Sequence, residues 1–128
     1  MSPTRPVSTT ELEVLKALWD RGPSTVRDLA EGLRSDGKQR AYTTVQTLLK
    51  RLEEKGYVQT DTSGYAHVFR AAISRDSLVR QRLTDLADQL CEGAATPLVR
   101  ALVSNHQFSP QEIRQFRAML DEKEDRQS

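Results

Sequence analysis

Thr43, Thr44, Gln46 and Thr47, followed by Lys50 and Arg51, are the residues of this 128-residue chain whose types and spacing best fit a chemical task. Read at helical period, Val45, Leu48, Leu49 and Leu52 share one face as a buried stripe. The hydroxyls, the amide and the two cations occupy the other, which carries no carboxylate before Glu53 and Glu54. Hydroxyls and an amide at a helix N-terminus, with cations a turn or two later, suit base edges and phosphates in a DNA major groove. An ordinary solvated helix face has the same composition, so the flanking elements must decide between the two.

Those elements read in the order helix, helix, helix, hairpin. Ser8-Thr9-Thr10-Glu11 has the form of a capping box. It predicts a helix from about Thr9 to Asp20, with Leu12, Leu15, Leu18 and Trp19 turned inward, closed by Gly22 and Pro23. Ser24 or Thr25 caps a second helix that buries Val26, Leu29, Ala30 and Leu33, with Asp28 in its first turn. Residues 35–40 are polar and read as a loop. The third helix spans about Tyr42 to Lys55 and ends at Gly56. Beyond it the period changes to that of strands over Tyr57–Asp61 and Tyr65–Arg70, with Thr62-Ser63-Gly64 as the turn and a glycine available for positive φ. This is the order of a winged helix-turn-helix, in which the third helix enters the major groove. That context favours the groove-facing reading over the solvated face.

The second half reads as an assembly device. Ser74 caps a long helix reaching about Glu92, on which Val79, Leu83, Leu86 and Leu90 recur at intervals of a coiled-coil seam. A short helix over Ala95–Ser104 carries Leu98, Val99, Leu102 and Val103. Ser109-Pro110-Gln111-Glu112 forms a second capping box, opening a helix to about Glu122 with Ile113, Phe116, Met119 and Leu120. The tail from Asp121 is expected to fray. Three helices in about 55 residues bury a limited core alone, so pairing with a second copy is expected; folding back onto the first half is the alternative. The predicted architecture is mainly α with a small β-hairpin: a winged-helix DNA-binding domain over residues 1–73 and a helical homodimerisation domain over 74–128.

Composition sets limits on these readings. The net charge is only +1, with 29% of residues charged. Residues 34–55 carry six cations and three carboxylates, a modest positive bias. Such a bias permits DNA binding, which should weaken with salt, and favours a dimer that presents two surfaces. No apolar run approaches the roughly 20 residues that cross a bilayer, and no secretory signal opens the chain. One cysteine, Cys91, excludes an internal disulfide framework, and a cytoplasmic location is expected. Cys91 reads as a small core thiol near the seam. His67, placed in a strand, and His106, in an exposed loop, have no metal-ligand spacing with it, and no phosphate loop or nucleophile motif occurs. No enzyme activity, metal or cofactor is expected. A winged-helix module that binds protein instead of DNA is the competing function.

Several runs resemble the penicillinase-repressor family of BlaI/MecI type. Thr10-Glu11-Leu12-Glu13-Val14-Leu15-Lys16-Ala17-Leu18-Trp19 resembles its opening helix. Gly22-Pro23-Ser24-Thr25-Val26-Arg27-Asp28-Leu29 and the run from Ala41-Tyr42-Thr43-Thr44-Val45 to Gly56 resemble the next two helices. Phe108-Ser109-Pro110-Gln111-Glu112-Ile113 resembles its final one. The resemblance implies a homodimeric transcriptional repressor on an inverted-repeat operator with TACA/TGTA-type cores. It places Thr43, Thr44, Gln46 and Thr47 at bases, where Gln46 suits adenine and the threonine methyls suit thymine. It places Arg40, Lys50, Arg51, Ser63 and Gly64 at phosphates, and leaves Tyr42 either packed at the helix entrance or on DNA. The dimer would use Val79, Leu83, Leu86, Leu90, Leu98, Leu102, Ile113, Phe116 and Leu120. In the best-known members a membrane sensor-protease responding to a β-lactam relieves repression by a cut after an asparagine. Asn105 before His106 is the nearest match, but His106 replaces an apolar residue and the segment before Ser109 is shorter, which weakens it. Copper-responsive relatives carry a cysteine-rich metal site that a chain with Cys91 alone lacks.

Overall fold

In a computed structural model the described residues are 5–33 and 41–127. The element order is α1 (Thr9–Arg21), α2 (Val26–Leu33), α3 (Tyr42–Glu54), β1 (Val58–Asp61), β2 (Val68–Ala71), α4 (Arg75–Leu90), α5 (Thr96–Asn105) and α6 (Pro110–Gln127). The fold is six helices with a two-stranded antiparallel hairpin, and it divides into compact units over residues 1–82 and 83–128. The expected loop over 35–40 lies outside the described residues.

In the first unit the caps form as the spacing requires. Ser8 Oγ accepts from the Glu11 amide at 3.1 Å, and the Glu11 carboxylate accepts from the Ser8 amide at 3.0 Å. The Gly22 amide closes α1 on the Leu18 carbonyl at 2.8 Å. For α2 the cap is Thr25: its hydroxyl accepts from the Asp28 amide at 3.1 Å, and Asp28 returns a bond to the Thr25 amide at 3.2 Å. α3 ends in a Schellman motif, with Tyr57 N–H on Leu52 O at 2.9 Å and Gly56 N–H on Glu53 O at 3.0 Å. Gly56 sits at φ 88°, where a side chain would be strained. Val14, Leu15, Leu29, Val45, Leu49, Leu52 and Tyr57 are fully buried between α1, α2 and α3. Trp19 is half-buried against this core and donates its indole N–H to Ile73 O at 2.8 Å.

The hairpin differs from its expected outline. The register pairs Asp61 with Val68 and Val58 with Ala71, so residues 62–67 form a six-residue connection instead of a three-residue turn. Asp61 carries the bend: its carboxylate accepts from Ser63 N–H at 2.9 Å and Ser63 Oγ at 2.6 Å. Those bonds, with some help from Arg70, hold the Asp61 carboxyl below its ordinary range. Gly64 does not adopt positive φ, because this wider connection needs no left-handed residue. Tyr65 and His67, expected in the second strand, stand exposed in the connection; their alternation has no packing surface beneath it. A short third pairing joins Ser24 to Phe69 through amide–carbonyl bonds of 2.9 and 2.8 Å, fastening the hairpin to the α1–α2 corner.

Beyond the hairpin, Ser74 Oγ caps α4 by accepting from the Ser77 amide at 3.1 Å. Leu78 and Ala87 are its buried positions. α4 stops at Leu90, and Cys91 is half-buried in the following bend. The Ser109–Glu112 capping box forms with bonds of 3.0 and 3.1 Å. α6 continues to Gln127 where fraying from Asp121 was expected. Its last turns are helical formers, and Arg126 bonds Glu122 at 2.6 Å one turn earlier. Among the described residues of the second unit only Ala87 is buried.

Candidate nucleic-acid interface

α3 presents the residues singled out by their chemistry on one exposed face. Val45, Leu48, Leu49 and Leu52 are buried, which leaves Thr43, Thr44, Gln46, Thr47, Lys50 and Arg51 exposed. The register follows from the apolar spacing: turning the helix to bury any of these polar groups would expose a leucine. Ala41 gives α3 no side-chain cap, and no acidic residue lies in the first turn. The positive end of the helix dipole is therefore not neutralised from within that turn. Thr47 donates its hydroxyl to Thr43 O at 2.9 Å, so its donor is used within the helix, and its methyl and oxygen lone pair remain for a partner.

An ion pair ties the end of α3 to the start of α1. Lys55, at the end of α3, lies 2.6 Å from the Glu11 carboxylate, with Glu11 only 2% exposed. Lys55 also donates to Pro6 O at 2.8 Å, and the Tyr57 hydroxyl donates to Arg5 O. The chain before α1 is thus held against the end of α3. Burial pushes the Glu11 carboxyl up, but the Lys55 and Ser8 hydrogen bonds and the Lys55 charge outweigh it and hold the group below its ordinary range. The second oxygen, Oε2, is buried with no hydrogen-bond partner among the described residues. A capping role for Glu11 is legible from its spacing; its pairing across 44 residues is not.

A groove of about 510 Å³ opens beside α3. It is lined by Thr25, Val26 and Arg27 of the α2 end, Tyr42 and Gln46 of α3, and Tyr65, Ala66, His67 and Phe69 of the hairpin. Tyr42, which the sequence left between packing and contact, is 52% exposed here, and Tyr65 is fully exposed. Ser63 and Gly64 are exposed on the connection. Arg40 lies outside the described residues. Arg27, Tyr65 and His67 line the groove without being marked for it by their spacing in the chain. A cation in the first turn of α2 and aromatic residues just after turn chemistry were the available signals.

In the second unit the expected seam residues are solvent-facing. Leu86, Leu90, Leu102 and Leu120 are 40%, 74%, 47% and 67% exposed, and Leu83, Ile113 and Phe116 are also exposed. Val79, at the start of the seam, is exposed too, whereas Leu98 is half-buried. Asn105 ends α5, and His106 follows it, both exposed. No group of three or more His, Cys, Asp or Glu that could hold a metal occurs among the described residues. No helix there is long and apolar enough to cross a membrane.

The family model described as penicillinase repressor matches residues 7–122. Over 120 residues the chain is 25% identical to a penicillinase repressor of Bacillus licheniformis, covering 94% of this chain and 93% of that one. Over 80 residues it is 39% identical to the transcriptional regulator BlaI of Mycobacterium tuberculosis, covering 62% of this chain and 57% of that one. Among solved structures it resembles the DNA-binding domain of the repressor BlaI, with a TM-score of 0.51, 27% identity, and 60% of this chain and 93% of that one covered. The monomeric form of Bacillus licheniformis BlaI in complex with the blaP half-operator gives a TM-score of 0.50 at the same identity and coverage.

Proposed function

This chain belongs to the penicillinase repressor family of winged-helix DNA-binding transcription regulators, and we propose that it represses transcription as a homodimer bound to an inverted-repeat operator with TACA/TGTA-type cores. The observation that carries the reading is the exposed face of α3, where hydroxyls, an amide and two cations stand together without a carboxylate before Glu53. Thr43, Thr44, Gln46 and Thr47 read bases, with Gln46 paired to adenine and the threonine methyls against thymine. Lys50 and Arg51, with Arg40, Ser63 and Gly64, hold phosphates and set the register of the helix in the groove. The operator complex of the Bacillus licheniformis relative supports the same use of this unit.

Pairing rests on the second unit. A segment from 83 to 127 with one buried residue has too little interior to account for its order, and its exposed leucines, Ile113 and Phe116 offer the missing interior to a second copy. Two recognition helices then address two half-sites, which offsets the small net charge. Relief of repression would follow from a cut between Asn105 and His106 by a membrane sensor-protease. That bond is exposed, and cutting there would detach α6 with Ile113, Phe116 and Leu120. The protein acts in the cytoplasm, where such operators lie.

A band-shift titration of the full chain against the inverted repeat upstream of its own gene tests the reading. Sequence-selective binding that weakens steeply with salt is the expected result. Binding that is absent, or equal on scrambled DNA, refutes it and favours a protein-binding winged helix.

A further inference from the structure

We propose that Trp19, Arg75 and Arg82 are positioning residues for operator recognition: they fix the direction of the first turns of α4 and so set which separation of two half-sites the dimer accepts. The inference rests on the repressor and pairing readings and assigns residues that neither of them uses.

α4 is one helix from Arg75 to Leu90, and its first two turns lie within the first unit. Those turns are held at three points. At the start, the Trp19 indole N–H donates to Ile73 O at 2.8 Å. The Arg75 guanidinium lies 5.3 Å from the centre of the same indole and bonds the Asp20 carboxylate at 3.1 Å. Next, Leu78 is buried in the core cluster. Two turns from the start, Arg82 donates to Val7 O at 3.3 Å. Positions 75, 78 and 82 fall on one stripe of a helix. The outer two are about 10 Å apart along the axis, from seven residues at 1.5 Å each. A single attachment fixes where a helix begins. Two attachments at that distance, with a buried leucine between them, also fix its direction.

The second attachment leads back to the recognition helix. Three consecutive carbonyls before α1 accept from three different elements: Arg5 O from the Tyr57 hydroxyl, Pro6 O from Lys55 Nζ at 2.8 Å, and Val7 O from Arg82. Lys55 is the C-cap of α3, so the end of the recognition helix and the second turn of α4 grip one short piece of chain. Val79 stands exposed between the two attachments, at the first position of the pairing seam. The seam therefore begins on a stretch whose orientation to α3 is already set. Each base pair inserted between half-sites moves one of them by about 3.4 Å along the duplex and turns it by about 35°. A stiff arm resists that displacement, whereas a hinged arm follows it.

Fluorescence anisotropy with the full chain tests the assignment. The duplexes are the upstream inverted repeat, versions with the half-sites one base pair closer or one further apart, and a single half-site. The wild type is expected to bind the natural separation about tenfold more tightly than either altered one. Arg75→Ala combined with Arg82→Ala leaves α4 attached through Ile73 and Leu78 alone, and should reduce that preference to about threefold or less. Both arginines are exposed and their contacts add little stability, so circular dichroism, sedimentation and half-site affinity should match the wild type. Trp19→Phe keeps a ring but removes the donor to Ile73 O, and should reduce the preference in the same direction. A role in stability alone would weaken every duplex in parallel and leave the preference intact. If the wild type prefers one separation and the double variant keeps that preference, the positioning assignment alone is wrong. Equal wild-type affinity for all three separations overturns it as well. If the wild type binds none of the duplexes, the repressor reading falls; if it binds only as a monomer, the pairing reading falls. Either result takes this inference with it.

Discussion

Replacing Lys55 with methionine isolates the ion pair that ties the end of α3 to the start of α1, beside the apolar core the two helices share. Lys55 is 18% exposed and Glu11 2%, at a separation of 2.6 Å. In the variant, among the described residues, Glu11 Oε1 keeps only the Ser8 amide at 3.0 Å, Oε2 stays without a partner, and Pro6 O loses the Lys55 donor. Breaking a buried ion pair from one side costs about 3–5 kcal/mol, and the partial access of Lys55 to water places this case near 3 kcal/mol. With a urea dependence of about 1.5 kcal/mol per molar, the midpoint falls by about 2 M.

The pH dependence gives the mechanism its own signature. The folded-state pKa of Glu11 is depressed below its ordinary 4.5, so its contribution is fully present above that value and is lost as pH falls through the lowered one. Without Lys55, burial is left opposed by Ser8 alone, and the Glu11 pKa moves upward. A protonated Glu11 needs no cation, so the gap between wild type and variant should be largest near about pH 7 and should narrow near about pH 4. Trp19, the single tryptophan, sits against this core and donates to Ile73 O, so its fluorescence follows the first unit in urea titrations. Glu11→Gln combined with Lys55→Met should cost less than the sum of the two changes. A loss below about 1 kcal/mol at neutral pH, or an equal loss at both pH values, would show that the pair contributes little to the stability of the first unit.

The remaining predictions address the interface, the pairing and the core. Gln46→Ala should relax preference at one base position at a cost of about 1–3 kcal/mol, whereas Arg51→Ala should weaken every sequence alike; competition binding against a set of single-base operator variants separates them. Leu86→Arg places a charge on a side chain 40% exposed in the single chain, so it should leave helix content intact and shift sedimentation from dimer to monomer. A persistent dimer would remove Leu86 from the seam. Leu49→Ala empties a fully buried position between α3 and its neighbours and should cost about 2–5 kcal/mol, read by urea denaturation on Trp19 fluorescence.

Much of the local structure is legible in order along the chain. Ser8 with Glu11 in the first unit and Ser109 with Glu112 in the second announce helix starts, each pair three residues apart, and Gly22 and Gly56 announce ends. Val45, Leu48, Leu49 and Leu52 assign the buried face of α3, and the outward face of Thr43 to Arg51 follows from it. The wing was read less well. Tyr65 and His67 alternate like a strand, but strand order needs a partner across the ladder, and the Asp61–Ser63 bonds turn the chain before one is reached.

What local spacing determines is whatever closes within one turn: caps, stripes, helix ends and the polar face of α3. Tertiary structure alone decided the pairings across distance. It brought Lys55 to Glu11 over 44 residues, Phe69 to Ser24, and Arg27 into one groove with Gln46, Tyr65 and His67. A bond within a turn is set by the backbone geometry of a few residues, and its partners recur at fixed intervals. A contact between remote segments exists only once the core has folded between them, and no spacing in the chain records it.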